Sequence, residues 1–177
     1  MTSPFYTIIG TPFSTFTRAI ALRLTRKGMP FTQVRCVPHS NTAYDNHPFG
    51  FLPTLIIHGI DGKTINLMLR ESIAIARYID KVAPEPSLHI SPGRGKAIIE
   101  EQMWEFVSLL SRKGSLLGKM EELMANEGYV FGSKLSLPDF FLFPLLADLK
   151  AIPEGELLSP KMLNCMEERN KMEARPP

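Results

Sequence analysis

The chain has 177 residues, enough for one ordinary domain or two small ones, and its 44% hydrophobic and 21% charged content excludes a disordered chain. A net charge of only +2 argues against nucleic acid as the main partner, although residues before Asp61 carry Arg18, Arg23, Arg26, Lys27 and Arg35 against Asp45 alone. No apolar run nears the roughly 20 residues a membrane span needs. The two cysteines, Cys36 and Cys165, have no metal-ligand or Cys-x-x-Cys spacing, which points to a reducing compartment. Met1-Thr2-Ser3-Pro4-Phe5 lacks the basic-then-apolar pattern of a signal peptide, so the cytoplasm is the expected location.

Residues 5–9 form a short β-prone run that ends at Gly10-Thr11-Pro12, a first strand and turn. Thr17, Ile20, Ala21 and Leu24 then recur at helical spacing, and Gly28 after Arg26 and Lys27 stops that helix. Residues 31–37, which include Cys36 as a small buried hydrophobe, predict a second strand, and the polar stretch 38–50 predicts a loop or one poorly formed helix. Residues 54–57 predict a third strand and 58–63 a turn. Ile65, Leu67 and Leu69 alternate as a fourth strand. A helix from Ser72 is expected to bury Ile75, Tyr78, Ile79 and Val82. The order is β-α-β-(loop)-β-β-α.

The prolines of residues 84–90 mark a linker, and from residue 91 everything reads as helical. Ile99, Met103, Phe106 and Leu110 predict one helix; Leu116, Met120 and Leu123 predict another. Ser136-Leu137-Pro138-Asp139 has the form of a capping box, in which Ser136 caps a free amide and Asp139 reaches back. Residues 140–146 behind it are apolar all round, as in a buried central helix that Pro144 should kink or shorten. A last helix is expected over 160–172. The expected domains are 1–83 and 91–177, joined by 84–90.

Three stretches suggest chemistry. Thr11-Pro12-Phe13-Ser14-Thr15-Phe16-Thr17-Arg18-Ala19-Ile20-Ala21-Leu22 is similar to Ser-Pro-x-Ser-Pro-Phe-x-Arg-x-x-x-Leu of the glutathione S-transferase superfamily. His47-Pro48-Phe49-Gly50-Phe51-Leu52-Pro53 resembles that family's Asn-Pro-x-Gly-Lys-Val-Pro, and Glu71-Ser72 resembles its Glu-Ser pair. The capping-box motif and the terminal Arg175-Pro176 match its second domain, so the resemblance spans nearly the whole chain. Two departures stand out: His47 replaces Asn, and Phe51 replaces Lys, which removes one cationic contact. Only 32 positions separate Trp104 from Ser136, too few for two full-length helices with a loop, so either those helices are short and the helical domain shortened, or part of the segment near 111–118 is absent.

The resemblance implies an α+β thioredoxin-like N-terminal domain followed by an all-α C-terminal domain, with glutathione as cosubstrate or cofactor. It implies a cis bond before Pro53, with the Leu52 main chain pairing with the cysteinyl unit. Glu71 would receive the α-ammonium of the γ-glutamyl end, and Ser72, at a helix N-terminus, its carboxylate; the other reading is that Ser72 simply caps the helix and Glu71 is a solvated acid at its start. Ser14 would donate a hydrogen bond to the sulfur. A thiol of pKa ~8.5 needs ~1.4 kcal/mol of preference for the anion per unit of depression, within reach of one charge-assisted bond plus a helix dipole. Ser14 can equally be only the N-cap, with Thr11 or Thr15 the donor. His39 or Asn41 is placed near the glycyl carboxylate, or in a solvated loop. Phe13, Met103, Trp104 and Val107 would line the pocket of an apolar electrophile, or belong to the core.

The histidines His39, His47, His58 and His89 show no ligand spacing, so no metal is expected. A homodimer is implied by the resemblance, with Phe49 or Phe51 as an inserting aromatic. The expected function is addition of the glutathione thiolate to a hydrophobic electrophile. The alternatives are cis-trans isomerisation of a conjugated metabolite by transient thiolate addition, and a non-catalytic binding or scaffold protein on the same fold.

Overall fold

Four runs of β-branched and apolar residues pair into one sheet in the order β2-β1-β3-β4, which the computed structural model places in the first of two units, Met1–Ser87 and Leu88–Pro177. Residues 5–60, 63–88, 98, 102, 121–122 and 124–173 are described. β1 (Tyr6–Ile9) lies parallel to β2 (Phe31–Val34) and antiparallel to β3 (Thr54–Ile60), which pairs antiparallel with β4 (Lys63–Arg70). The helices are α1 (Thr15–Arg26), the single-turn-scale α2 (Asn41–Asn46) and α3 (Ser72–Val82). This is a thioredoxin-like mixed sheet with its helices.

Side chains alternate across a strand, so Ile8, Leu55 and Leu69, in register across β1, β3 and β4, share one face. Ile8, Leu55 and Ile57 are buried there, with Ile20 and Leu24 of α1 and Ile75 and Ile79 of α3. On the other face Thr7 bonds Thr32 (2.9 Å) and His58 Nε2 (2.8 Å), and His58 Nδ1 bonds Asn66 Oδ1 (2.7 Å). Because Asn66 offers an acceptor, His58 donates from Nδ1 and accepts from Thr7 at Nε2. A polar chain thus crosses all four strands.

Several expectations need correction. β2 stops at Val34, leaving Cys36 outside the strand and half-buried, so it is not a core residue. Of the two alternatives for 38–50 the structure has the short helix, α2, which begins where Ser40 accepts the Ala43 N–H at 3.3 Å. β3 and β4 run on to Ile60 and from Lys63, through most of the expected turn. Ile65 and Leu67 are exposed, because β4 is an edge strand. α3 buries Ala76, whereas Val82 is exposed and Tyr78 half-buried.

In the second unit, α4 (Leu137–Lys150) is buried over Leu137–Leu142 and again at Pro144 and Leu146. It continues through Pro144 for its full length, so the proline does not shorten it. Asp139 is the organising residue. Its carboxylate accepts from Ser136 N (2.7 Å), Ser136 Oγ (2.6 Å) and Val130 N (2.8 Å). Burial still pushes its carboxyl above the usual carboxylate range, against the pull of those bonds. Burial, then the neighbouring Asp139, raises the Cys165 thiol in the same way, which leaves it inert. A 3-10 turn (Pro153–Leu157) leads to α5 (Pro160–Glu173). The helices expected from Ile99 and from Leu116 lie outside the described residues. No helix among the described residues is long and apolar enough to cross a membrane.

Candidate functional site

The register decides where the three motifs go. Ile9, Thr54 and Arg70 stand side by side across β1, β3 and β4. The chain leaves β1 through Gly10 toward Ser14, enters β3 through Leu52-Pro53, and leaves β4 into Glu71-Ser72. Segments some 20–40 positions apart in sequence therefore issue from one end of one sheet.

Leu52–Pro53 is cis, as the motif implied. Among the described residues neither the N–H nor the C=O of Leu52 has a hydrogen-bond partner. An extended peptide laid beside Leu52 would supply both, as an added strand does. The segment before it is held firmly. His39 N donates to Gly50 O (2.9 Å) and Gly50 N to His47 O (2.9 Å). Gly50 has φ +64°, and an added Cβ would lie 3.0 Å from His39 Cα, so glycine is required there.

Glu71 precedes α3 at positive φ, with φ 68° and ψ 117°, a conformation that costs a non-glycine residue about 1–3 kcal/mol. It is Glu71, not Ser72, that occupies the N-cap position. Ser72 is the first helical residue, and no side-chain bond caps the helix. The head of α3 therefore keeps free N–H groups beside the Ser72 hydroxyl, an arrangement suited to a carboxylate. The Glu71 carboxylate is 72% exposed, with His47 Nε2 3.8 Å from Oε1.

Ser14 is the N-cap of α1, accepting the Thr17 N–H at 3.3 Å. That bond occupies a lone pair and leaves the hydroxyl hydrogen with no acceptor among the described residues. Thr11 Oγ1 accepts from Phe13 N (3.4 Å), and Thr15 is the first helical residue. Phe13 is 84% exposed. His39 is exposed at φ 62°, with Nδ1 3.4 Å from the Tyr44 hydroxyl and its ring edge-on to Phe51. Asn41 opens α2. Met103, Trp104 and Val107 lie outside the described residues.

Two features had no sequence signal. Arg70 Nε donates to Asn46 O at 2.8 Å, which ties the end of α2 to β4. His47, 4% exposed, packs at a tilt against the rings of Phe49 and Phe51 and has Nε2 3.8 Å from Glu71 Oε1, 24 positions away. Phe51, where the family motif has lysine, packs between the two imidazoles. Among the described residues no group of three His, Cys, Asp or Glu could hold a metal.

Residues 8–87 match the family described as glutathione S-transferase, N-terminal domain, and residues 114–177 match glutathione S-transferase, C-terminal domain. No curated protein sequence matches the chain. Among solved structures, a glutathione transferase homologue from Sulfitobacter with bound glutathione is 19% identical, covering 98% of this chain and 94% of its own, with a TM-score of 0.71. Maleyl pyruvate isomerase, a bacterial zeta-class protein, is 14% identical over 93% and 92%, with a TM-score of 0.74. Glutathione transferase Omega 2S from Trametes versicolor is 18% identical over 96% and 90%, at 0.70. At these identities the likeness is one of fold.

Proposed function

Because this chain belongs to the glutathione S-transferase superfamily, we propose that it binds glutathione in its first unit and adds the thiolate to a hydrophobic electrophile. The observation that carries this reading is the unpartnered Leu52 main chain, in the same row as the head of α3 and the cap of α1. The cysteinyl unit pairs with Leu52 beside Pro53. Glu71 takes the γ-glutamyl ammonium, and Ser72 with the free amides of α3 takes its carboxylate. The glycyl carboxylate lies toward His39, which stands in for the family's absent lysine.

Ser14 plays two parts. Its oxygen accepts from Thr17 N–H, which polarises the hydroxyl and strengthens the bond it donates to sulfur. The positive end of α1 points the same way. Phe13, exposed beside it, offers the electrophile an apolar surface. Self-association through the exposed Phe49 belongs to the same proposal.

The test is a glutathione titration followed by thiolate absorbance, wild type against Ser14→Ala, with and without model electrophiles. Binding, thiolate formation and consumption of glutathione support the transferase. Turnover without loss of glutathione marks an isomerase instead. Absence of binding marks a protein that kept the fold and lost the chemistry.

A further inference from the structure

We propose that Arg70 is a positioning residue that fastens the glycyl end of the ligand site to its γ-glutamyl end, an inference that rests on the glutathione reading. The need for it is written in α2. That helix has six residues, fewer than two turns, too few to be stable alone, and Ala43 is its only buried residue. Its last carbonyls find no partner within the helix. Arg70 supplies one from outside: Nε donates to Asn46 O at 2.8 Å, a cation at the negative end of the helix. Among the described residues every other hydrogen bond of α2 stays within residues 37–50. Arg70 is therefore what bonds α2 to the sheet.

Arg70 also stands between the two ends of the site. It pairs with Thr54, the residue after the cis proline, and directly precedes Glu71-Ser72. α2 in turn carries Tyr44, whose hydroxyl lies 3.4 Å from His39 Nδ1 and whose ring centroid is 6.0 Å from the imidazole's. The path Arg70–Asn46–Tyr44–His39 joins the strand end that leads to the ammonium's acceptor with the side chain toward which the glycyl carboxylate lies. Without the bond the tail of α2 is released and His39 holds its place only part of the time. Apparent affinity then falls by that fraction. The γ-glutamyl half, set by the ladder itself, is spared.

S-methylglutathione and S-methyl-γ-glutamylcysteine are the probes. Both lack a free thiol and carry the same net charge near pH 7, and only the first has a glycyl unit. Calorimetric titrations of wild type, Arg70→Met and Arg70→Gln read the preference for the longer peptide. Methionine removes every donor, whereas glutamine sets an N–H donor as many bonds from Cα as Nε, without the charge. Arg70→Met should bind S-methylglutathione about three- to tenfold more weakly and leave the shorter peptide unchanged. Arg70→Gln should keep most of the preference. The inference is overturned if Arg70→Met keeps the wild-type preference or weakens both peptides equally, or if Arg70→Gln loses as much as Arg70→Met, which would assign the effect to charge. In wild type, S-methylglutathione should slow hydrogen exchange at the Tyr44 and His47 amides, which bond Ser40 O and Ala43 O, and the shorter peptide should not. Equal protection by both peptides, or by neither, overturns the inference even where Arg70→Met fails to fold. Binding of neither peptide to wild type would remove the glutathione reading and this inference with it.

Discussion

Gly10 and Thr17 meet where β1 gives way to α1, so closely that a methyl group on Gly10 would stand 2.5 Å from Thr17 Oγ1 and 2.7 Å from its Cγ2. Thr17 is buried and its hydroxyl has no partner among the described residues. The contact sets how far the head of α1, and with it Ser14, stands from the end of the strand. Gly10→Ala should cost about 1–3 kcal/mol of stability. Adding Thr17→Ala should recover most of it, because the second change removes both the clashing atoms and an unsatisfied hydroxyl while sparing the Thr17 N–H. Urea unfolding of the single and double variants decides; an additive loss would show that the clash is not the cause.

Ser14 separates capping from chemistry. Ser14→Ala should lose about 0.5–2 kcal/mol of stability along with the thiolate. Ser14→Asp keeps an acceptor for Thr17 N–H and places a negative charge at the favourable end of α1, so stability should hold. Its carboxylate would repel the sulfur anion, and glutathione should stay a thiol. Thermal melts read alongside thiolate absorbance check both outcomes; a thiolate still formed in Ser14→Asp would assign the sulfur to Thr11 or Thr15.

Asp80 holds two cations, Arg23 of α1 and Lys27 at its C-cap. It accepts from Arg23, which is fully buried, and lies 3.4 Å from Lys27 Nζ. Lys27 also donates to Pro84 O (3.1 Å) and Pro86 O (2.8 Å), fastening the segment that follows α3. Burial, reinforced by Arg23, holds the Lys27 ammonium below the ordinary lysine range. Asp80→Ala strands a buried guanidinium charge without this carboxylate and should cost about 3–5 kcal/mol. Arg23→Leu with Asp80→Leu should restore much of that. Denaturation of the pair and of the single variant distinguishes a desolvated charge from simple loss of packing.

Tyr6 supplies the pH prediction. Burial, with help from the Tyr78 hydroxyl, pushes its phenol up to about 12 from 10.0. A group raised on folding contributes in full below its unfolded value and loses that contribution as pH rises through its folded one. Stability should therefore decline between about pH 10 and 12, less steeply in Tyr6→Phe. A spectrophotometric titration should show one phenol, lost in Tyr6→Phe, ionising at about 12 rather than 10.0. Ionisation of Tyr6 at the ordinary phenol value of 10.0 would contradict its burial.

Local code made much of this legible. Gly28 ends α1 at φ +65°, Ser136 and Asp139 begin α4, and the period-two and period-3.6 runs gave the order of strands and helices in the first unit. Local code failed where the environment decides. Alternation at Ile65 and Leu67 is the same whether a strand end is covered or bare, and the helical spacing of Val82 is blind to where the core stops. Ser72 looked like a cap because capping residues precede helices, yet Glu71 takes that place through an unusual backbone conformation that composition does not signal. The contact of His47 with Glu71 joins the chain before β3 to the chain after β4 and could not be read from either neighbourhood.

The alignment of Ile9, Thr54 and Arg70 has a consequence for how such a protein can change. Slipping either ladder by one position would turn Thr54 inside out and carry Pro53 away from both neighbours, so geometry and foldedness stand or fall together. Substitutions along the tips that hang from that seam are free of this constraint. Novelty in what the protein accepts should therefore accumulate in the turns, while the strands beneath them stay as they are.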